Sequence, residues 1–414
     1  MTRPPAFLTG ALACALVACV PGRPGGGLAT LTGRPAADPA PGAPTEAGEP
    51  RPAPSGPGQA AAESANNQSA GPATAPMSLP VAPPGSVAQT TGGSGGGGSG
   101  GGGRRGQSGV VAALTPGTQA PNAWRQWPLM VRPRFGFAAG RVGDALMAVG
   151  GEPRGSGEVL ALTPTGPAAW APLTGLEFPP TDLVAHAAAG QHLVVAGPTG
   201  TYRLTPGSVE DMGFFMAQPV VAGASALDEQ RGRLLVFGGL NQGGVTAFSQ
   251  HLTVASDTVP TSLRATFPSS YAGAAAAVVG DEAWVVGGYA PVGAVEASGT
   301  AQVRTYDLTT DTWRDSAAGG PGAPPALPSP RHSAALVALA GQLYLVGGLG
   351  PDGTPDADVL RLDPAAPTPA WTVVTRLPTP RSLLVALAVN GVIVTLGGVD
   401  AAGRASAVVE GYRP

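Results

Sequence analysis

The sequence contains no lysine, and all 23 of its basic residues are arginine. Charged residues make up only 12% of the 414, aromatic residues 5%, and the formal net charge is -3. A chain this close to neutral lacks the basic footprint of a nucleic-acid binder. Cysteine is nearly absent: Cys14 and Cys19 are the only two, both near the N-terminus. The body of the chain therefore has neither a disulfide nor a cysteine-based metal site. The four histidines (His186, His192, His251 and His332) show no i, i+4 or HxxEH spacing, which argues against zinc. No dinucleotide fingerprint or serine nucleophile elbow occurs. The glycine run at 92–103 has no strand before it and no Lys-Ser/Thr after it, so it is not a phosphate loop. No cofactor is implied.

What is abundant is glycine, with 64 residues, and proline, with 46. They are unevenly placed, and the chain divides accordingly. Arg3 and the short apolar run 6–15 have the form of an export signal, too short to span a bilayer at about 20 residues. Leu16-Val17-Ala18-Cys19 follows. This resembles the lipobox of bacterial lipoproteins. The resemblance implies that residues 1–18 are a lipoprotein signal peptide, that Cys19 carries lipid, and that the protein sits in the cell envelope, anchored to a membrane on its extracytoplasmic side. From 19 to 120 no hydrophobic period is present, and Pro, Ala, Gly, Thr and Ser dominate. Too little apolar surface is available there to offset the entropy of ordering, so the composition predicts a disordered linker. A flexible chain of that length has a reach of roughly 50–60 Å.

Residues 121–414 are organised by a doublet of small residues that recurs six times after a short apolar run: Gly150-Gly151, Ala196-Gly197, Gly238-Gly239, Gly287-Gly288, Gly347-Gly348 and Gly397-Gly398. Sixteen residues before each lie Arg134, Pro180, Ala222, Tyr271, Arg331 and Arg381. Ten residues after each of those lie Asp144, Gly190, Gly232, Asp281, Gly341 and Gly391, types that accept φ > 0 in a tight hairpin. The unit is strand, turn, strand, doublet, with a third strand-like run beyond it and often a tryptophan: Trp170, Trp313, Trp371. Repeats of 40–60 residues of this kind predict a propeller or solenoid.

The pattern resembles the kelch repeat. Tyr306-Asp307 with Trp313, Leu362-Asp363 with Trp371, and Pro330-Arg331 and Pro380-Arg381 match its motifs. Blade 2 is degenerate, with Ala196 in place of a glycine. The resemblance implies an all-β, six-bladed β-propeller over 121–414. The sixth unit ends before a tryptophan strand, while Trp124 stands ten residues before Arg134 as Trp371 does before Arg381. The run 122–129 is thus expected to supply the outer strand of the last blade and close the ring. The recurring tryptophans, with Trp284, are expected in the core.

In an antiparallel blade the start of the first strand and the loop after the second share one face. That face gathers Arg134, Arg331 with His332, Arg381 and Tyr271 from the starts, and Glu152, Asn241 and Tyr289 from the loops. Three arginines in adjacent blades suit a carboxylate or another anion. The alternative is that each pairs with a neighbouring acid or carbonyl and holds its blade. The resulting expectation is a monomeric, non-enzymatic interaction module that takes a protein, peptide or glycan on this loop face. Two readings stand beside it: a passive structural protein of the envelope, and a kelch-type sugar mutarotase or epimerase with Glu152, Glu282 and the arginines as its working groups. Radical copper oxidases of this fold need a cysteine-linked tyrosine, which the chain lacks.

Overall fold

A computed structural model describes residues 119–152, 154–164, 166–179, 181–254, 262–290 and 298–414. The expected signal peptide, Cys19, the expected linker as far as residue 118 and Pro180 lie outside the described residues.

Six four-stranded antiparallel sheets follow one another. Blade 1 is Ala138–Val142, Ala145–Val149, Gly157–Thr163 and Gly166–Leu173; blade 2 is Ala185–Ala189, His192–Gly197, Gly200–Thr205 and Ser208–Asp211. Blade 3 is Ala224–Asp228, Arg233–Phe237, Ser249–Thr253 and Ser262–Leu263; blade 4 is Ala275–Val279, Glu282–Val286, Val303–Asp307 and Thr312–Asp315. Blade 5 is Ala335–Leu339, Gln342–Val346, Asp358–Leu362 and Thr372–Arg376. Blade 6 takes three strands from the C-terminus, Val385–Val389, Val392–Leu396 and Val409–Arg413, and its outer strand, Ala123–Gln126, from the N-terminus. Trp124 pairs with Tyr412 in register, and their rings lie 5.2 Å apart. The expected ring closure is therefore present.

Alternation within the strands puts apolar residues on both faces of each sheet, so that the core lies between blades. One cluster joins Val394 and Leu396 of blade 6 to Leu146 and Trp170 of blade 1. Another joins Trp284 of blade 4 to Leu345 and Trp371 of blade 5. Trp170, Trp284 and Trp371 are buried; Trp313 packs half-buried against Phe237 of blade 3.

The repeat count needs two adjustments. In blade 2, Ala196 pairs within the sheet opposite Ala185, as Val149 pairs with Ala138 in blade 1. Gly197 is thus the first doublet residue and Pro198 the second. In blade 3 the hairpin between the first two strands spans four residues, 229–232, instead of two, which moves the blade start from Ala222 to Val220. The hairpins also differ in detail from expectation. Gly143 and Gly280, not Asp144 and Asp281, take positive φ, as the first position of a type II′ turn requires.

Candidate functional site

The six first strands line a central channel of about 940 Å³. Two residues beyond each blade start, at Gly136, Leu183, Ala222, Gly273, Ser333 and Leu383, the backbone turns left-handed, with φ of 52° to 62°. Each of these residues donates its N–H to the carbonyl of its counterpart in the preceding blade, at 2.7–3.2 Å, and Gly136 closes the circle on Leu383. The result is an unbroken cycle of six backbone hydrogen bonds around the loop-face end of the channel. It aligns the starts of all six blades.

The doublets form a second circle outside the first. The N–H groups of Gly239, Gly288, Gly348 and Gly398 donate to the carbonyls of Tyr271, Arg331, Arg381 and Arg134 in the next blade, at 2.7–2.9 Å. A Cβ on the first glycine of these pairs would overlap that same carbonyl oxygen. This is why a small residue with positive φ is required. Blade 2 has Pro198 at the donor position and no N–H to give. There Ser225 of blade 3 bonds the backbone N–H and carbonyl of His186 instead, each at 3.3 Å.

The arginines complete this lattice. Arg381 is fully buried. Its guanidinium donates to the carbonyls of Gly397 (2.5 Å) and Val408 (2.8 Å), to Thr395 Oγ1 (3.1 Å) and to Glu410 (2.7 Å). Arg134 repeats this with Gly150, Ser156 and Glu158, at 2.9, 3.0 and 2.7 Å. Arg331 does so with Gly347, Asp358 and the carboxylate of Asp356. Burial lowers the pKa of Arg331 and Arg381, and the acid beside each opposes that shift. The expected anion cluster of Arg134, Arg331 and Arg381 therefore does not exist. The alternative reading holds: each arginine ties the second and third strands of its own blade, while its carbonyl accepts from the previous one.

Blade 4 inverts the arrangement. Tyr271 occupies the arginine position. Arg304 stands where blades 1 and 6 carry Glu158 and Glu410, opposite the second-to-last residue of strand two. The Arg304 guanidinium lies 4.2 Å from the Tyr271 ring centroid and pairs with Asp315 at 3.2 Å. Tyr271 donates to Gln302 at 3.0 Å. It is half-buried and part of the blade.

The remaining candidates separate. Tyr289 and His332 are buried and meet edge-on at 5.2 Å between blades 4 and 5. Burial pushes the Tyr289 hydroxyl up to about 12 and the His332 imidazole down to about 4. His332 Nδ1 lies 3.1 Å from Ser333 Oγ. Tyr289 and Ser333 are both on the channel wall. Glu152 is exposed and Asn241 half-buried, both on the loop face. Glu282 opens the second strand of blade 4, beside the Gly280-Asp281 hairpin at the opposite end, and pairs with Arg314. Glu152 and Glu282 thus lie on opposite faces and cannot act on one substrate. Among the described residues, no three metal-capable side chains come together.

Three features escaped sequence reading. The acids Glu158, Asp356 and Glu410 follow their doublets at different distances, because the intervening loops vary, so no fixed spacing marks them. The left-handed residues carry glycine in only two of six blades. The loop face also exposes large apolar side chains: Leu129 (57%) and Val131 (51%) where blade 6 crosses to blade 1, and Phe215 (58%) where blade 2 crosses to blade 3. These positions belong to no repeat.

Residues 214–401 match the model of the KLHDC2/KLHL20/DRC7 Kelch-repeats domain. That span runs from the end of blade 2 through the last doublet. The fold is a six-bladed β-propeller, and its residues 214–401 are similar to kelch repeats. A solved structure titled "Structure of YjhT" is similar to it, with a TM-score of 0.55 and 17% identity over 68% of this chain and 95% of that one. At this identity the likeness concerns the fold alone. No curated protein sequence matches the chain.

Proposed function

We propose that the protein is a lipid-anchored, extracytoplasmic interaction module of the bacterial envelope, and that its loop face takes a protein, peptide or glycan. The kelch propeller fold suits such a module. The observation that carries the reading is the division of labour on this face: its arginines are locked inside the blades, while Leu129, Val131 and Phe215 are exposed at its blade crossings. Leu129 and Val131 offer a partner an apolar contact at the blade 6–blade 1 crossing, and Phe215 another at the blade 2–blade 3 crossing. Ala123–Gln126 runs antiparallel to Val409–Arg413, so the chain enters the propeller at the hairpin-turn face. The mutarotase reading lacks a convergent acid and base, since Glu152 and Glu282 lie on opposite faces.

The test is cross-linking of the native envelope followed by affinity recovery of wild-type protein and of a Leu129→Asp/Val131→Asp/Phe215→Asp variant. Partners recovered with the wild type are expected to be lost from the variant; equal recovery refutes the assigned face. For the anchor, Cys19→Ser is expected to move the protein from the membrane fraction to the soluble one. A variant that stays membrane-bound removes the lipid from the proposal.

A further inference from the structure

The central channel has the size and lining of a small-molecule site. Its volume of about 940 Å³ lies near the upper end of the roughly 300–1,000 Å³ of ligand pockets. Alanine makes it wide: Ala139, Ala188, Ala226, Ala276, Ala335 and Ala388, one from each first strand, line it. The charged residues on its wall, Arg141, Asp228 and Glu229, stand at the hairpin-turn end beside Gln230. Above them the polar side chains of the wall are His186, Ser225, Tyr289 and Ser333. None of these carries a charge, because burial lowers the pKa of His186 and leaves its imidazole neutral. A charged ligand would find no counter-ion there, and an unpaired charge is costly away from water.

Three of these four groups are engaged. Ser225 bonds the backbone of His186, the His186 ring meets the carbonyl of Val184 at 3.2 Å, and Ser333 Oγ lies 3.1 Å from His332 Nδ1. Tyr289 differs. It is 4% exposed, and its hydroxyl has no partner among the described residues. Burial holds that hydroxyl protonated, so it is a donor without an acceptor. A Cβ on Gly273 would come within 2.7 Å of the Tyr289 ring and 3.4 Å of Ser333 Oγ. The tyrosine thus stands at the loop-face end of the channel, against the circle of left-handed residues, held by its edge contact with His332. In blades 3, 5 and 6 the residue after the doublet is Leu240, Leu349 or Val399. The wall therefore offers a hydroxyl donor at one end and apolar surface along its length.

We propose that the channel binds one uncharged, largely apolar small molecule, which lies along the first strands with a carbonyl or hydroxyl oxygen hydrogen-bonded to Tyr289. The neutral wall selects against charge, and the unpaired hydroxyl selects for an oxygen at one end of the ligand. First strands of five residues give the channel a depth of roughly 16 Å at about 3.3 Å per residue, enough for a fused ring system or a short chain. With a single such tyrosine, the ligand has one orientation and one copy per chain. The site is separate from Leu129, Val131 and Phe215 and does not rest on the loop-face reading.

The test titrates the full-length chain with Nile red, an uncharged fused-ring dye with one carbonyl acceptor, whose emission reports polarity and hydrogen bonding. Saturable binding of one dye per chain is expected. Tyr289→Phe keeps the ring and removes the hydroxyl; it should weaken binding about fivefold, as the loss of one hydrogen bond does, and move the bound emission to shorter wavelength. Ala388→Trp, at an exposed position of the wall, should block the channel and weaken binding at least about tenfold. The Leu129→Asp/Val131→Asp/Phe215→Asp variant should bind the dye like the wild type. Equal binding by the wild type, Tyr289→Phe and Ala388→Trp overturns the proposal, as does loss of binding in the loop-face variant alone. A second measurement needs no variant. Photolysis of the wild-type chain with an uncharged phenyl diazirine should label peptides spanning 183–188, 273–278 and 333–338, and Nile red should suppress that label. Labelling confined to other segments overturns the channel site whatever the fate of the loop-face reading.

Discussion

Replacing Arg381 with methionine separates a structural arginine from a ligand-binding one. The guanidinium is completely buried and makes bonds to three main-chain carbonyls (Thr379, Gly397 and Val408), to the Thr395 hydroxyl and to Glu410. Methionine fills much of the volume but removes every donor. Glu410, itself buried, keeps only the hydroxyl of Thr379 at 2.8 Å. Breaking a buried ion pair from one side costs about 3–5 kcal/mol, because the remaining charge is left without a partner. The orphaned carbonyls of Gly397 and Val408 push toward the upper end of that range. The loss is a large share of the roughly 5–15 kcal/mol that holds a domain together. Urea unfolding of the full chain, followed by tryptophan fluorescence, reads it as a fall in midpoint at constant slope. Arg381→Met/Glu410→Leu, which removes both charges, is expected to recover at least half of the loss. Arg381→Met within about 1 kcal/mol of wild type refutes the latch, since an arginine held for a ligand is dispensable to the fold. A double variant no better than the single one refutes the assignment to the uncompensated carboxylate.

Stability should also depend on pH through the buried histidines. Burial, then the nearby Arg264 and Arg233, hold His251 down to about 4, and burial does the same for His332. Both stay neutral in the folded protein while the unfolded chain takes up protons near pH 6.5. Their contribution is thus complete above pH 6.5 and falls as pH drops toward 4, by about 1.4 kcal/mol per pH unit for each group. His251→Phe removes two buried ring nitrogens that lack partners and should flatten this acid limb. Equal limbs in denaturation midpoints between pH 7 and 4.5 contradict the assignment. Gly347→Ala and Gly391→Ala share positive φ, yet only the first drives a Cβ into the carbonyl of Arg381. Both carry a strain of about 1–2 kcal/mol, and Gly347→Ala should lose roughly 1–3 kcal/mol more through overpacking. Equal unfolding midpoints would show that the doublet is not needed for the contact between blades. At the seam without a doublet donor, Ser225→Ala should cost about 1 kcal/mol and raise exchange of the His186 amide; an unchanged amide would remove Ser225 from that seam.

Much of the architecture was legible because a propeller repeats its local demands. Positive φ at the doublets, apolar strands before them and a tryptophan beyond them recur in the sequence since each blade solves the same packing problem. Trp124 could be matched to Trp371 by spacing alone, and with it the closing strand. Spacing failed where loops changed length. The four-residue hairpin of blade 3 displaces its start by two, and Ala196 reads as a doublet residue because a strand alanine and a turn alanine look alike in sequence. The arginine cluster failed for another reason. A shared face says where a Cα lies, not which way a long side chain runs, and Arg134, Arg331 and Arg381 run into their blades.

The sequence by itself determined the number of blades, five of the six doublets, the closing strand and the disulfide and thiolate-metal chemistry ruled out by the missing cysteine, since all of these follow from local geometry or composition. Tertiary structure decided what the charged residues do. Whether an arginine meets a ligand or a carbonyl depends on partners such as Glu158, Asp356 and Glu410, which reach it from a strand at variable sequence distance. It also depends on the carbonyl of one blade meeting the glycine N–H of another, a contact that exists only once the ring has closed.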